Sequence, residues 1–367
     1  MQTLTRRQLG LGGAAVVAAA AASTLLQPTG TSPMRLGLGA MKPTSLRIGA
    51  ILPTSPWDAE LPRRIVAGLR DALSAPDWLS VEMVEREVVG GTVGIRSAAS
   101  DLLARDVDVL LAATNPLAAD PLVELAAAAS VPLLVSTFGA TTPRRLGRGD
   151  VAATVHGLHL ADAAAALGAW TVREHGPRVG VLASDREAMF DLIGQLGRGV
   201  TSAGGTMAAL EIVSEPGELS AAADRLEQAG LDALHIEVAG RDAAPFLDLL
   251  EDGSFRGVPV TIDPLASGGD ALPACASWSR GTDPAGVLGA ETGSLLVAAL
   301  RRGGGHGVVF PGTSFDTDRG RLRVSSTGVT AGPVAMLADG RPLAVPPGDR
   351  GNLSLPVAGV TNEFLCL

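Results

Sequence analysis

Two segments of this chain have the residue types to hold a small anion. Asn115–Ala118 and Ser136–Thr142 each follow an apolar run and precede a helical one. A loop of that kind offers backbone N–H groups and the positive end of a helix to a ligand. The second loop also carries the hydroxyls of Ser136, Thr137, Thr141 and Thr142, although Thr142 before Pro143 is equally suited to capping a helix. Two acids stand at strand ends, Glu237 in His235–Val238 and Asp185 after Val179–Ala183.

Groupings that would do bond chemistry are incomplete. His156 and His159 form an H-x-x-H pair with no Cys or third His nearby, so the pair does not read as a metal site. His235-Ile236-Glu237 resembles the first half of a zinc deaminase signature but lacks the paired cysteines. Gly303-Gly304-Gly305 is not followed by Lys and Ser or Thr, which excludes a phosphate-binding P-loop. No Ser has Gly both two before and two after it, as a hydrolase nucleophile elbow requires. Gly37 and Gly39 precede any strand, which excludes a dinucleotide fingerprint. These patterns make a catalytic reading weak, and no cofactor is expected.

The elements that would position these residues alternate. Apolar strands at Leu46–Leu52, Leu79–Glu87, Val107–Ala113 and Pro132–Ser136 are separated by helical stretches at Leu61–Leu73, Gly94–Ala104 and Asp120–Ala129. A second run starts near Val155. Its helices are Leu160–Glu174, Ala188–Ala203, Leu219–Ala229 and Ala243–Leu250, and its strands are Arg178–Ala183, Met207–Ile212, Ala233–Val238 and Val258–Ile262. Asp283–Arg301 reads as a further helix, followed by short β segments at Ser314–Asp318, Gly320–Val324 and Val334–Leu337. Alternation of this kind predicts parallel sheets with helices on both faces, here as two α/β lobes.

The chain has 367 residues, a net charge of -9 and no basic stripe, which disfavours nucleic acid as a partner. It has no Tyr, and Lys42 is its single Lys, a skew that reads as coding bias toward GC-rich codons. Arg6 and Arg7 precede an uncharged Gly- and Ala-rich stretch over Leu9–Leu26, so residues 1 to about 32 read as a twin-arginine export signal. A retained membrane anchor is the other reading of that stretch. Residues 33–44 read as a flexible tether, and the mature protein is expected outside the cytoplasm.

In order along the chain, Leu46-Arg47-Ile48-Gly49-Ala50-Ile51-Leu52-Pro53, Asp106–Ala113, Val131–Thr137 with Thr141-Thr142, Gly180–Asp185 and Phe315–Val324 with Gly328 form a set. That set resembles the type I periplasmic solute-binding proteins, in particular the branched-chain amino-acid-binding receptors of ABC transporters. The resemblance spans about Leu46 to about Val345. It implies a Venus-flytrap architecture of two doubly wound α/β lobes joined by a three-strand hinge. Lobe one would comprise 45–153 plus 266–331 and lobe two 154–265 plus 332–350, with 351–367 as a C-terminal tail.

The resemblance also implies roles. Ser136, Thr137, Thr141 and Thr142 would bind a ligand α-carboxylate, with Asn115 standing where the family's usual serine is missing. Glu237, or alternatively Asp185, would face an α-ammonium. The family commonly places a Tyr in the cleft, so Trp57, Phe138 or Phe190 would supply the ring here. The implied function is capture of a branched-chain amino acid or analogue by a monomer that delivers it to a membrane ABC permease. A sensor subunit for a receptor or kinase is the alternative, and an exported enzyme on the same scaffold a third. Cys275 and Cys366 could pair in an oxidising compartment.

Overall fold

A computed structural model describes residues 44–54, 59–89, 92–114, 119–139, 153–185, 192–238, 243–262, 274–276, 283–304, 307–333, 336–338 and 341–343. All of them fall in one compact unit, Lys42–Leu367. The export signal, the tether, the C-terminal tail with Cys366, and Trp57, Asn115, Thr141, Thr142 and Phe190 lie outside the described residues.

The first sheet is parallel and runs β2 (Leu79–Val88), β1 (Thr44–Pro53), β3 (Val109–Ala113), β4 (Leu133–Thr137), β5 (Ala153–Gly157). Its central strands β3 and β4 are buried at every position. That is what continuous apolar runs produce when helices cover both faces. Helix α1 (Leu61–Ser74) turns Leu61, Ile65, Leu69 and Leu73 inward at a spacing of four. Helices α2 (Thr92–Leu103) and α3 (Asp120–Ala129) also cover this sheet.

After β5 come α4 (Leu160–His175), β6 (Arg178–Ser184), α5 (Leu192–Ser202), β7 (Thr206–Val213), a short 3-10 turn at Pro216–Glu218, α6 (Leu219–Gln228), β8 (Ala233–Glu237), α7 (Ala243–Glu251), β9 (Val260–Ile262) and β10 (Ala274–Ala276). These strands form the second sheet in the order β7-β6-β8-β9-β10. The antiparallel pair β14 (Met336–Ala338) and β15 (Arg341–Leu343) extends it. Between β10 and β14 the chain returns to the first lobe as α8 (Pro284–Arg302) and a small antiparallel sheet, β11 (Ser314–Thr317), β12 (Gly320–Val324) and β13 (Thr330–Ala331). The chain therefore passes between lobes after β5, after β10 and after β13. This is the expected two-lobed α/β flytrap.

Two boundaries differ from the sequence expectation. Ala153–Gly157 is a fifth strand of the first sheet, bridged to the third sheet where Val155 N donates to Gly328 O at 2.8 Å. Ala274–Ala276, expected in lobe one, pairs with β9 and β14 in the second sheet. Neither segment is long enough to show a strand period.

A glycine device packs a helix pair in each lobe. A Cβ at Gly289 of α8 would collide with the Ile65 carbonyl of α1, and one at Gly68 with the Gly286 carbonyl. In the second lobe Gly199 and Gly168 meet the carbonyls of Ala165 and Leu196 in the same way. Backbones this close leave no room for side chains between them.

Candidate functional site

In an open α/β sheet, ligands bind beyond the carboxyl ends of the strands where the strand order reverses. Both sheets have such a point. In the first it lies between β1 and β3, and in the second between β6 and β8, since β6 pairs with both β7 and β8. Thr54 and Thr114 follow the first pair of strands, and Asp185 and Glu237 stand at the ends of the second pair.

In lobe one, Ser136 is buried and its Oγ lies 2.8 Å from Thr292 Oγ1 on α8, so its hydroxyl is engaged with the helix behind the sheet. Thr137, one residue on, faces the other side, and its Oγ1 accepts from Gly139 N at 3.2 Å. Phe138 is only 1% exposed. The loop after β4 is stitched to the start of α4, because Leu160 N donates to Phe138 O and Ala161 N to Gly139 O. Thr114, just past β3, is buried and donates its backbone N–H to Ser136 O.

In lobe two, Asp185 is exposed and Glu237 is buried to 1%. His235 lies two residues before Glu237 and therefore on the same face of β8. Its Nε2 is 2.8 Å from Glu237 Oε2, and its Nδ1 is 2.9 Å from Thr261 Oγ1 on β9. The sequence shows only an alternating strand here. The partner Thr261 comes from a neighbouring strand and could not be read locally.

Sequence reasoning missed the most heavily bonded cluster, which grips the first crossing between lobes. Arg319, in the turn between β11 and β12, donates Nε to Glu291 Oε1 at 2.8 Å and Nη2 to Glu291 Oε2 at 2.6 Å. The same guanidinium donates Nη1 to Leu158 O at 3.0 Å and Nη2 to Gly157 O at 3.3 Å, the carbonyls just beyond β5. His156 completes the cluster, with Nε2 3.2 Å from Glu291 Oε2 and Nδ1 3.3 Å from Thr330 Oγ1. All three ionisable side chains are buried.

Burial pushes the Glu291 carboxyl up. The hydrogen bonds from Arg319 and His156, with the charge of the Arg319 guanidinium, outweigh it and bring the pKa down from 4.5 to about 2. Burial holds His156 below its ordinary 6.5, more strongly than Glu291 raises it. The imidazole is thus neutral at neutral pH, and the ion pair is Arg319 with Glu291. This is a structural hinge clamp, and among the described residues no group of three or more His, Cys, Asp or Glu could hold a metal.

The clamp makes stability fall on acidification. Below pH 6.5 an unfolded His156 binds a proton that the buried ring resists, and between 4.5 and about 2 an unfolded Glu291 does the same. In both windows the unfolded state binds more protons, so the sign is a loss of stability as pH falls. A group that titrates only on unfolding changes stability by at most about 1.4 kcal/mol per pH unit. The melting temperature should drop steadily from pH 7 to 5 and less steeply in His156→Gln, whereas identical profiles would show that His156 does not contribute.

No helix among the described residues is long and apolar enough to cross a membrane. A family model described as a periplasmic binding protein matches residues 45–275. No curated protein sequence matches the chain. Among solved structures, an ABC transporter substrate-binding protein from Sphaerobacter thermophilus is similar, with 18% identity, a TM-score of 0.66, and coverage of 81% of this chain and 95% of that one. A solute-binding protein from R. palustris in complex with benzoate has 16% identity, a TM-score of 0.63, and coverage of 82% and 95%. A leucine-binding protein from Thermotoga maritima has 16% identity, a TM-score of 0.62, and coverage of 83% and 99%.

Proposed function

The chain belongs to the periplasmic binding protein family, and on that premise we propose that it is the exported substrate-binding component of an ABC transporter. It captures a small carboxylate, a branched-chain amino acid or an analogue, between two closing lobes and delivers it to a membrane permease. The observation that carries this reading is the pair of strand-end sites, one at the switch point of each sheet. Lobe one supplies the hydroxyls of Thr114 and Thr137, and lobe two supplies the acids Glu237 and Asp185. Those are the groups that a carboxylate and an ammonium respectively require. Asn115, Thr141 and Thr142 extend the carboxylate side, and Ser136 supports it from behind through Thr292. Trp57, Phe138 and Phe190 are the rings assigned to the side-chain pocket. Capture by closure is a shift between two lobe arrangements, with no bond chemistry.

One observation favours a second ligand class. His235 sits 2.8 Å from the Glu237 carboxylate and competes with any ammonium for it. That suits a ligand with a carboxylate and no amine, and one structural relative was solved with benzoate.

Glu237→Gln separates the two. A charge-assisted hydrogen bond contributes about 1.5 to 3 kcal/mol, about tenfold to hundredfold in affinity. If the cargo is an amino acid, the variant should weaken L-leucine binding by that factor in a thermal-shift titration. If it is an aromatic acid, benzoate affinity should stay within about threefold. Failure of every carboxylate in a screening library to stabilise the wild-type protein would sink the proposal.

A further inference from the structure

We propose that β7, the edge strand of the second sheet, pairs with β7 of a second copy of this chain, making a two-fold dimer in place of the monomer that the family resemblance implies. β7 ends the strand order, so among the described residues one side of its backbone has no partner strand. Its Leu210 and Ile212 are 47% and 50% exposed. They pair with Val181 and Ala183 of β6 and so share their face of the sheet, where Leu196 of α5 packs. Helix cover stops short of the edge. Gly194, Gly197 and Thr201 of α5, with Met207 of β7, line an open groove of about 520 Å³ there.

The corresponding edge of the first sheet is built differently. β2 carries Glu82, Glu85, Arg86 and Glu87, and the first three are in ion pairs with neighbouring elements. Charges of that kind keep an edge from pairing with another chain. β7 has one charge, Glu211, and its Oε2 accepts from Nε and Nη2 of Arg225 on α6, across the sheet from α5. A bulge is another protective device, but the one in β7 lies at Ala208 and leaves Ala209–Val213 in unbroken register with β6.

This strand is complementary to itself. In an antiparallel pair with its axis at Glu211, Leu210 of each copy lies opposite Ile212 of the other, two cross-strand apolar pairs on one face. The two Glu211 carboxylates meet with their Arg225 counter-charges already in place. Arg198 lines the groove beside Met207, at the start of β7, and its guanidinium donates to Gln195 Oε1 at 3.2 Å with no carboxylate partner among the described residues. Glu215 and Glu218 stand exposed beyond the end of β7. Antiparallel pairing sets the basic end of each copy on the acidic end of the other. The switch point of this sheet lies between β6 and β8, one strand inward, so each copy keeps its own strand-end site.

Sedimentation velocity of the full chain over a dilution series tests the proposal. The wild type should pass from monomer to dimer as concentration rises, with amides of residues 209–213 gaining protection from hydrogen exchange in step. Two double variants, Leu210→Lys with Ile212→Lys and Leu210→Glu with Ile212→Glu, oppose like charges at both pairs. Each should raise the dissociation constant by about a hundredfold or more. Both positions are exposed, so each variant should melt close to the dilute wild type. Mixing the two variants should give a dimer of one Lys chain and one Glu chain, tighter than either variant forms alone. A wild type that stays monomeric at every concentration, a larger assembly, a dimer indifferent to the Lys variant, or a mixture no tighter than its components overturns the proposal.

Discussion

Arg319→Leu is expected to destabilise the protein by about 3 to 5 kcal/mol, because it leaves the Glu291 carboxylate buried without its counter-charge. Glu291 is 4% exposed and takes two bonds from the guanidinium, at 2.8 and 2.6 Å. The substitution also releases the carbonyls of Gly157 and Leu158, so the first lobe crossing loses its anchor. The double variant Arg319→Leu with Glu291→Leu should recover much of the loss, since no isolated charge then remains. Urea denaturation of both measures this directly. A single variant within about 1 kcal/mol of the wild type would show that the clamp does not hold the crossing.

Gly289→Ala sets two effects of opposite sign against each other. In an open helix, Ala is more favourable than Gly by up to about 1 kcal/mol. Here the added methyl meets the backbone carbonyl of Ile65, which cannot rotate aside as a side chain would. Overpacking of that kind costs about 1 to 3 kcal/mol or more, so the net sign should be destabilising and α1 should move away from α8. Gly217→Ala, where an added Cβ has no neighbour within 4 Å, is the control and should be close to neutral. Stabilisation by Gly289→Ala would contradict the packing described for the helix pair.

How far the fold could be read from sequence follows from what each segment must do locally. Val109–Ala113 and Leu133–Thr137 are central strands buried on both faces, and they read as unbroken apolar runs. Helix α1 shows its inward face in its own spacing. By contrast, Ala274–Ala276 is a strand only because β9 and β14 hydrogen-bond to it. Ala-Cys-Ala carries no such instruction in itself.

The site was legible in the same uneven way. Glu237 and Asp185 were expected at strand ends and stand at the two strands flanking the second switch point. Ser136 was expected to offer a free hydroxyl, but α8 returns from late in the chain to place Thr292 against it. His156 and His159 looked like a pair at a helical spacing. The end of β5 separates them and His159 itself is left-handed, so one ring enters the hinge clamp and the other stands apart at the start of α4. Arg319, Glu291 and His156 meet only after the chain has crossed to the second lobe and back, so no local pattern could announce them.

The central claim is capture of a small carboxylate without chemistry, and native mass spectrometry after incubation with the carboxylate panel tests it most directly. The account predicts one ligand of unaltered mass per chain, released intact on unfolding. A released product of different mass, or no adduct with any carboxylate, would contradict it.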